Sequence, residues 1–167
     1  RSVPIPQTIR FPGHYLYASY KHSQLIFDLI KENLANYQFI YTKGFTGWYL
    51  IHQKFTKKIA CAPIGVKFHG YEMFQKPPDL KTKLQHILLL RWAVRGISKQ
   101  ADIVFSYGGK ITEIIKSIGV DEHKIFELAS GVESATVVNS IQTSGEVIKV
   151  LFLGRYERRK GIEELNK

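Results

Sequence analysis

Val150-Leu151-Phe152-Leu153-Gly154-Arg155-Tyr156-Glu157-Arg158-Arg159-Lys160-Gly161 joins an apolar run to two spaced cations and a glycine. Val150 to Leu153 reads as a strand buried on both faces, the pattern of a parallel sheet, and Gly154 allows a sharp exit with close backbone approach. The loop beyond the carboxyl end of such a strand is where open α/β sheets bind nucleotides. Gly161-Ile162-Glu163-Glu164-Leu165 reads as the helix that follows. Arg155, Lys160 and the first N–H groups of that helix together suit a diphosphate. A solvated charged turn is the alternative reading of the same residues.

Working back toward Arg1, strand and helix patterns alternate. Ile103-Val104-Phe105 is a buried strand, after which Ser106 and the pair Gly108-Gly109 open a helix with Ile111, Ile114, Ile115 and Ile118 at helical spacing, ended by Gly119. The glycine pair suits either an anion or a tight βα turn. Ile64 to Phe68 is another strand, and His69 closes it before Gly70. A glycine there can take positive φ, which sets the imidazole at the carboxyl edge of the sheet. Phe39 to Thr42 is a strand followed by Lys43-Gly44, where Lys43 is either a ligand contact or an exposed loop lysine. Trp48 to Phe55 is a short helix, and Leu16 to Ala35 is a longer one. The longer one has Leu25, Ile26, Leu29, Ile30 and Leu34 on one face and Lys21, Asp28, Lys31 and Glu32 toward solvent. Residues 1–14 carry three prolines and a glycine and read as irregular. The fold class that follows is α/β, a mainly parallel sheet with flanking helices and strands covered on both faces.

Three segments in this order resemble the family 4 retaining glycosyltransferases of GT-B architecture. Gly154-Arg155 with Lys160-Gly161 is similar to the opening of that family's second domain. Val66-Lys67-Phe68-His69-Gly70-Tyr71-Glu72 is similar to its His-Gly-x-Glu strand end. Lys124-Ile125-Phe126-Glu127-Leu128-Ala129-Ser130-Gly131-Val132-Glu133 is similar to the strand and Asn-Gly-Val-Asp tetrapeptide that leave its first domain, with Ser130 for Asn and Glu133 for Asp. The resemblance implies a partial GT-B fold of Rossmann-like type. Residues 1–134 would be an acceptor-side domain without its first βαβ unit, 135–147 a linker, and 148–167 the first strand and helix start of the donor domain. The family's paired glutamates would fall beyond Lys167. It implies sugar transfer from a nucleoside diphosphate sugar to an acceptor hydroxyl with retention by the intact enzyme, in polysaccharide or glycolipid synthesis, with residues 1–167 alone expected to be inactive. Gly154, Arg155 and Lys160 would grip the donor diphosphate, and His69 would be the catalytic residue facing the sugar. Gly70, Glu72, Lys43, Ser106, Gly131 and Glu133 would be donor or acceptor contacts. Glu72 also reads as a first-turn carboxylate of the next segment. No cofactor or metal is implied, because two side-chain cations fill the electrostatic role of a divalent ion.

Leu80 to Lys99 reads as a long helix that is nearly apolar all round, so it is either heavily buried or meets an apolar surface. Lys81, Leu88, Arg91, Trp92, Arg95 and Lys99 share one stripe at helical spacing, a pattern of membrane-surface helices and equally of a solvated face with Trp92 under a loop. The 24 Lys and Arg against 14 Asp and Glu give a net charge of +10, which favours anionic partners: a nucleotide-sugar donor, a saccharide or lipid-linked acceptor, and an anionic membrane surface. Tyr and Phe do not cluster with the cations as a known RNA or DNA motif, so nucleic acid is not expected as a partner. A nucleic-acid-binding domain therefore ranks third, behind a non-catalytic or epimerase-type nucleotide-sugar-binding protein. The single Cys61 excludes an internal disulfide, and no apolar run is long enough to cross a bilayer. The expected location is cytoplasmic, peripheral on the inner membrane face.

Overall fold

The computed structural model describes residues 13–77 and 79–128. The chain divides into two compact units, Arg1–Ser130 and Gly131–Lys167, and the described residues all belong to the first. The stretch Val150 to Gly161 and the tetrapeptide Ser130 to Glu133 therefore lie outside the described residues.

The unit is α/β and Rossmann-like, a four-stranded, wholly parallel sheet with flanking helices. Helix α1 (His14–Ile30) runs into a 3₁₀ segment (Lys31–Asn36) and strand β1 (Ile40–Lys43). A 3₁₀ turn (Gly44–Gly47) leads to α2 (Trp48–Phe55) and β2 (Ile64–Lys67). A long crossover follows, made of α3 (Leu80–Gln85), a π-helical turn (His86–Leu90) and α4 (Arg91–Gln100), then β3 (Ile103–Ser106), α5 (Lys110–Ser117) and β4 (Ile125–Glu127). The strands lie in chain order, with Val66 opposite Thr42 and Val104, and Val104 opposite Ile125.

Right-handed crossovers that always step in one direction place their helices on one face of the sheet. Strand residues alternate accordingly. Ile64, Val66 and Val104 point inward and join Leu50 and Ile51 of α2, Val94 and Ile97 of α4, and Ile115 and Ile118 at α5 in one buried core. The opposite face carries Tyr41, Phe105 and Phe126, and Tyr41 and Phe126 remain 52% and 56% exposed. Among the described residues the expectation of strands covered on both faces is thus not met. Aromatic side chains made both faces look apolar in sequence, yet the outer rings pack on one another: Phe105 sits 5.5 Å from Tyr41 and 5.8 Å from Phe126. Gly65 makes room for them, since a Cβ there would stand 2.5 Å from the Phe105 ring and 2.6 Å from Phe39.

Helix α1 also differs from its expected face. Leu25 and Leu29 are exposed, and the buried line runs through Leu16, Ser23 and Leu34 with Phe27 and Ile30 packed beside it. Aromatic packing decides the orientation: Tyr20 lies edge-on to Trp48 at 5.2 Å, and Phe27 lies 5.2 Å from Tyr49. The crossover starts at Asp79, whose carboxylate accepts from the backbone N–H and hydroxyl of Thr82. Those bonds hold its pKa below the ordinary carboxylate value, as an N-cap should. At the other end, Asp102 accepts from Ile64 N–H and from Lys54 Nζ, both at 2.7 Å, and so ties the starts of β2 and β3 to α2.

Candidate functional site

All four strands point their carboxyl ends to one edge, the place where open parallel sheets bind ligands. Phe68, buried and edge-on to Phe45 at 5.7 Å and to Tyr71 at 5.6 Å, pins the end of β2. His69 follows and is exposed. Its Nδ1 lies 3.5 Å from the Tyr107 hydroxyl, at the outer limit of a hydrogen bond, with the donor set by the imidazole tautomer. Lys67 Nζ stands 4.0 Å from the centre of the Tyr107 ring and donates to the Leu128 carbonyl at 3.3 Å. Lys43 is in register with Lys67 on the neighbouring strand and is exposed. Thr46 braces its backbone by donating to Lys43 C=O at 2.8 Å and accepting from Lys43 N–H at 3.2 Å.

Beside this cluster the loop after β3 is fastened by a directed chain of hydrogen bonds. Thr112 donates its one hydroxyl proton to the Glu127 carboxylate, so Ser106 donates to Thr112, at 2.8 Å, and accepts from Gly108 N–H, at 3.0 Å. Ser106 is fully buried, and its hydroxyl is spent within the loop. It fixes the Gly108–Gly109 turn, both of whose glycines take positive φ, 87° and 53°. Ile111 N–H bonds back to Gly108 C=O, which closes a tight βα turn at the start of α5. Gly70 lies against Glu72, whose carboxylate would be 3.3 Å from a Cβ at that glycine, and Glu72 opens a short 3₁₀ segment (Glu72–Phe74).

The edge therefore gathers His69, Gly70, Glu72 and Lys43, and adds Lys67 and Tyr107, which sequence reading passed over. Lys67 looked like an ordinary strand residue, and Tyr107 is one of nine tyrosines. Their signal was position, since Lys67 precedes His69 by two residues and Tyr107 directly follows Ser106 at the same sheet edge. An exposed imidazole beside a phenol, with an ammonium group over the phenol ring, offers donors and positive charge to a hydroxyl-rich or anionic ligand.

No protein-family model, curated protein or solved structure matches the chain. Gly131, Glu133, Gly154, Arg155 and Lys160 lie outside the described residues. The stripe residues Lys81, Leu88, Arg91, Trp92, Arg95 and Lys99 lie on the crossover helix, with Lys81, Leu88, Trp92, Arg95 and Lys99 exposed and Arg91 half-buried. Among the described residues no three His, Cys, Asp or Glu side chains are grouped to hold a metal ion, and no helix is long and apolar enough to cross a membrane.

Proposed function

We propose that the protein acts as a retaining glycosyltransferase, moving a sugar from a nucleoside diphosphate sugar to an acceptor hydroxyl. The observation that carries the reading is the exposed His69, set at the carboxyl edge of a parallel sheet beside Tyr107 and Lys67. That edge is the expected ligand position of the architecture, and the imidazole is the group that the Val66-to-Glu72 resemblance assigns to the sugar. In this reading Arg155 and Lys160 offset the charge that builds on the departing diphosphate, and His69 hydrogen-bonds the sugar as it leaves. Tyr107 stands beside the imidazole, and Lys67, over the Tyr107 ring, adds positive potential at the edge. Gly108–Gly109 lets the chain turn without a side chain over the site.

Calorimetry with a panel of nucleoside diphosphates tests the clamp. A charge-assisted bond to phosphate contributes about 1.5–3 kcal/mol, so Arg155→Ala or Lys160→Ala should weaken binding of the preferred diphosphate by about tenfold to a hundredfold. In the intact enzyme, His69→Ala should leave diphosphate affinity within about twofold and instead suppress sugar release from the matching nucleotide sugar, because it touches the sugar and not the phosphates. Unchanged diphosphate affinity in both cation variants would remove the basis of the reading.

A further inference from the structure

The crossover helix turns apolar side chains outward. Leu80, Leu84, Leu88 and Trp92 are 79%, 58%, 60% and 58% exposed. In a regular helix a stripe at every fourth residue drifts by about 40° per step, roughly 120° over three steps. The π turn at His86–Leu90, closed by Arg91 N–H on His86 C=O, puts an extra residue into one turn and takes up that drift, so the four side chains stay in one line. From Leu80 to Ala101 the sequence holds Lys81, Lys83, Arg91, Arg95 and Lys99 and no Asp or Glu.

Trp92 stands between two clefts. On one side is an apolar groove of about 580 Å³ between α1, α2 and α4, lined by Tyr17, Tyr20, Trp48 and Leu89 together with Trp92 and Gly96. On the other is a cleft of about 550 Å³ lined by Arg91, Arg95 and Lys99, again with Trp92 and Gly96. Both guanidinium groups are anchored through Nε, Arg91 on Met73 C=O at 2.7 Å and Arg95 on Ile118 C=O at 3.0 Å. Their terminal amino groups are thereby held in fixed positions at the cleft.

We propose that this helix docks the protein on an anionic phospholipid bilayer, with Leu84, Leu88 and Trp92 in the acyl boundary and lipid phosphates on Arg91, Arg95 and Lys99. The ligand implied by an apolar groove and a cationic cleft with a shared wall is an amphiphile with an anionic head. A free phosphate would satisfy the cleft and leave the groove and the leucine stripe unexplained. A second copy of the chain would cover the stripe but would bring its own positive charge to the cations. The helix lies in the surface plane, as an amphipathic helix with Trp and Leu on one side and Lys and Arg beside them does. The inference rests on this helix and the two clefts beside it and stands whether or not the transferase reading does.

The test is co-sedimentation of the purified chain with vesicles of equal parts phosphatidylglycerol and phosphatidylcholine, against phosphatidylcholine alone, with tryptophan emission followed in parallel. The chain should pellet only with the anionic vesicles, with a blue shift of emission that Trp92→Phe largely removes. Inorganic phosphate at millimolar concentration should not release it. Leu84→Ser with Leu88→Ser should lower partitioning by about tenfold or more, since both side chains would otherwise leave water. Lys81→Gln, Lys83→Gln and Lys99→Gln together should also lower it by about tenfold or more, because each cation near an anionic surface contributes about fivefold. Lys31, Lys57 and Lys58, which line neither cleft, changed together to Gln should cost about twofold at most, a screened effect of net charge alone. Gly96→Leu offers a variant that spares the fold, since a Cβ there meets nothing within 4 Å, and it should obstruct both clefts and weaken binding. Equal loss in the two lysine triples would overturn the proposal, as would full binding by the double-leucine variant. So would failure of the chain to bind anionic vesicles, with or without a dimer that the leucine changes abolish.

Discussion

Tyr71 shows how one residue can govern the response of the whole unit to pH. It is fully buried, its hydroxyl shares a 3.2 Å hydrogen bond with Ser98, and burial pushes its pKa up to about 12, against the opposing pull of that bond. In the unfolded chain it titrates near 10. The folded value is the higher one, so its contribution to stability is intact below about pH 10 and is lost as the pH rises toward 12, by up to about 3 kcal/mol. Tyr15 and Tyr20, also raised by burial, act in the same direction. Denaturant melts between pH 8 and 12 should fall steeply above pH 10 in the natural chain. Tyr71→Phe should flatten that fall while costing about 1 kcal/mol at neutral pH for the lost hydrogen bond. An unaltered alkaline slope in the variant would show that this phenol is not the buried titrating group. None of this was legible in sequence, where Tyr71 is only the variable position of His69-Gly70-Tyr71-Glu72. His69 was legible because an apolar run fixes the end of a strand and thereby the edge where the next residue sits. Tyr107 and Ser98 were not, because tertiary packing alone brings them to their partners.

At the scale of elements, strands were easier to read than helix faces. Three short apolar runs ended where their strands end to within a residue or so, because strand limits are local matters of chain composition. The face of α1 was set by another helix. Ser23, a polar residue with no place in an apolar periodicity, is buried and accepts from Tyr49 N–H at 3.1 Å while donating to Tyr20 C=O at 2.7 Å. It thus caps α2 from outside, where Gly47 in the N-cap position supplies no side chain. That Gly47 cannot be exchanged for a capping residue, since a Cβ there would stand 2.5 Å from Thr42. Ser23→Ala leaves a helix N–H without its acceptor and should cost about 1–2 kcal/mol in urea unfolding. Leu25→Ser and Leu29→Ser, at the positions that periodicity alone would bury, should each stay within about 0.5 kcal/mol of the natural chain. The reverse ranking would mean that α1 packs by its leucine face. The π turn was equally out of reach of sequence reading, because a regular repeat is assumed when residues are placed on a helical wheel.

At the scale of the described residues taken together, the one-directional march of strands explains both the one face that their helices cover and the common edge at which His69, Lys67 and Tyr107 meet. The alternation of strand and helix made that α/β architecture readable, whereas covering of the second face depended on which aromatics pack with one another. Charge acts at this scale too. A net charge of +10 opposes compaction, and the ion pairs among the described residues, Lys31–Asp28 at 3.4 Å, Lys54–Asp102 at 2.7 Å and Lys116–Glu122 at 3.3 Å, oppose that repulsion locally. The two forces respond to salt with opposite sign. Exposed pairs contribute about 0–1 kcal/mol each, and Lys54–Asp102 is the most enclosed of the three and the least screened. Repulsion among surface cations spread over the molecule is damped once the Debye length falls to about 10 Å, near 0.1 M salt. The repulsive contribution should therefore dominate, and raising sodium chloride from 0.02 to 0.3 M should stabilise the chain by about 1 kcal/mol, or a few degrees in Tm. Asp102→Asn should lower stability at both salt concentrations by a similar amount, because it weakens a partly enclosed contact that salt scarcely reaches. A Tm that falls with added salt in the natural chain would mean that specific ion pairs, rather than net charge, dominate the electrostatics of the fold.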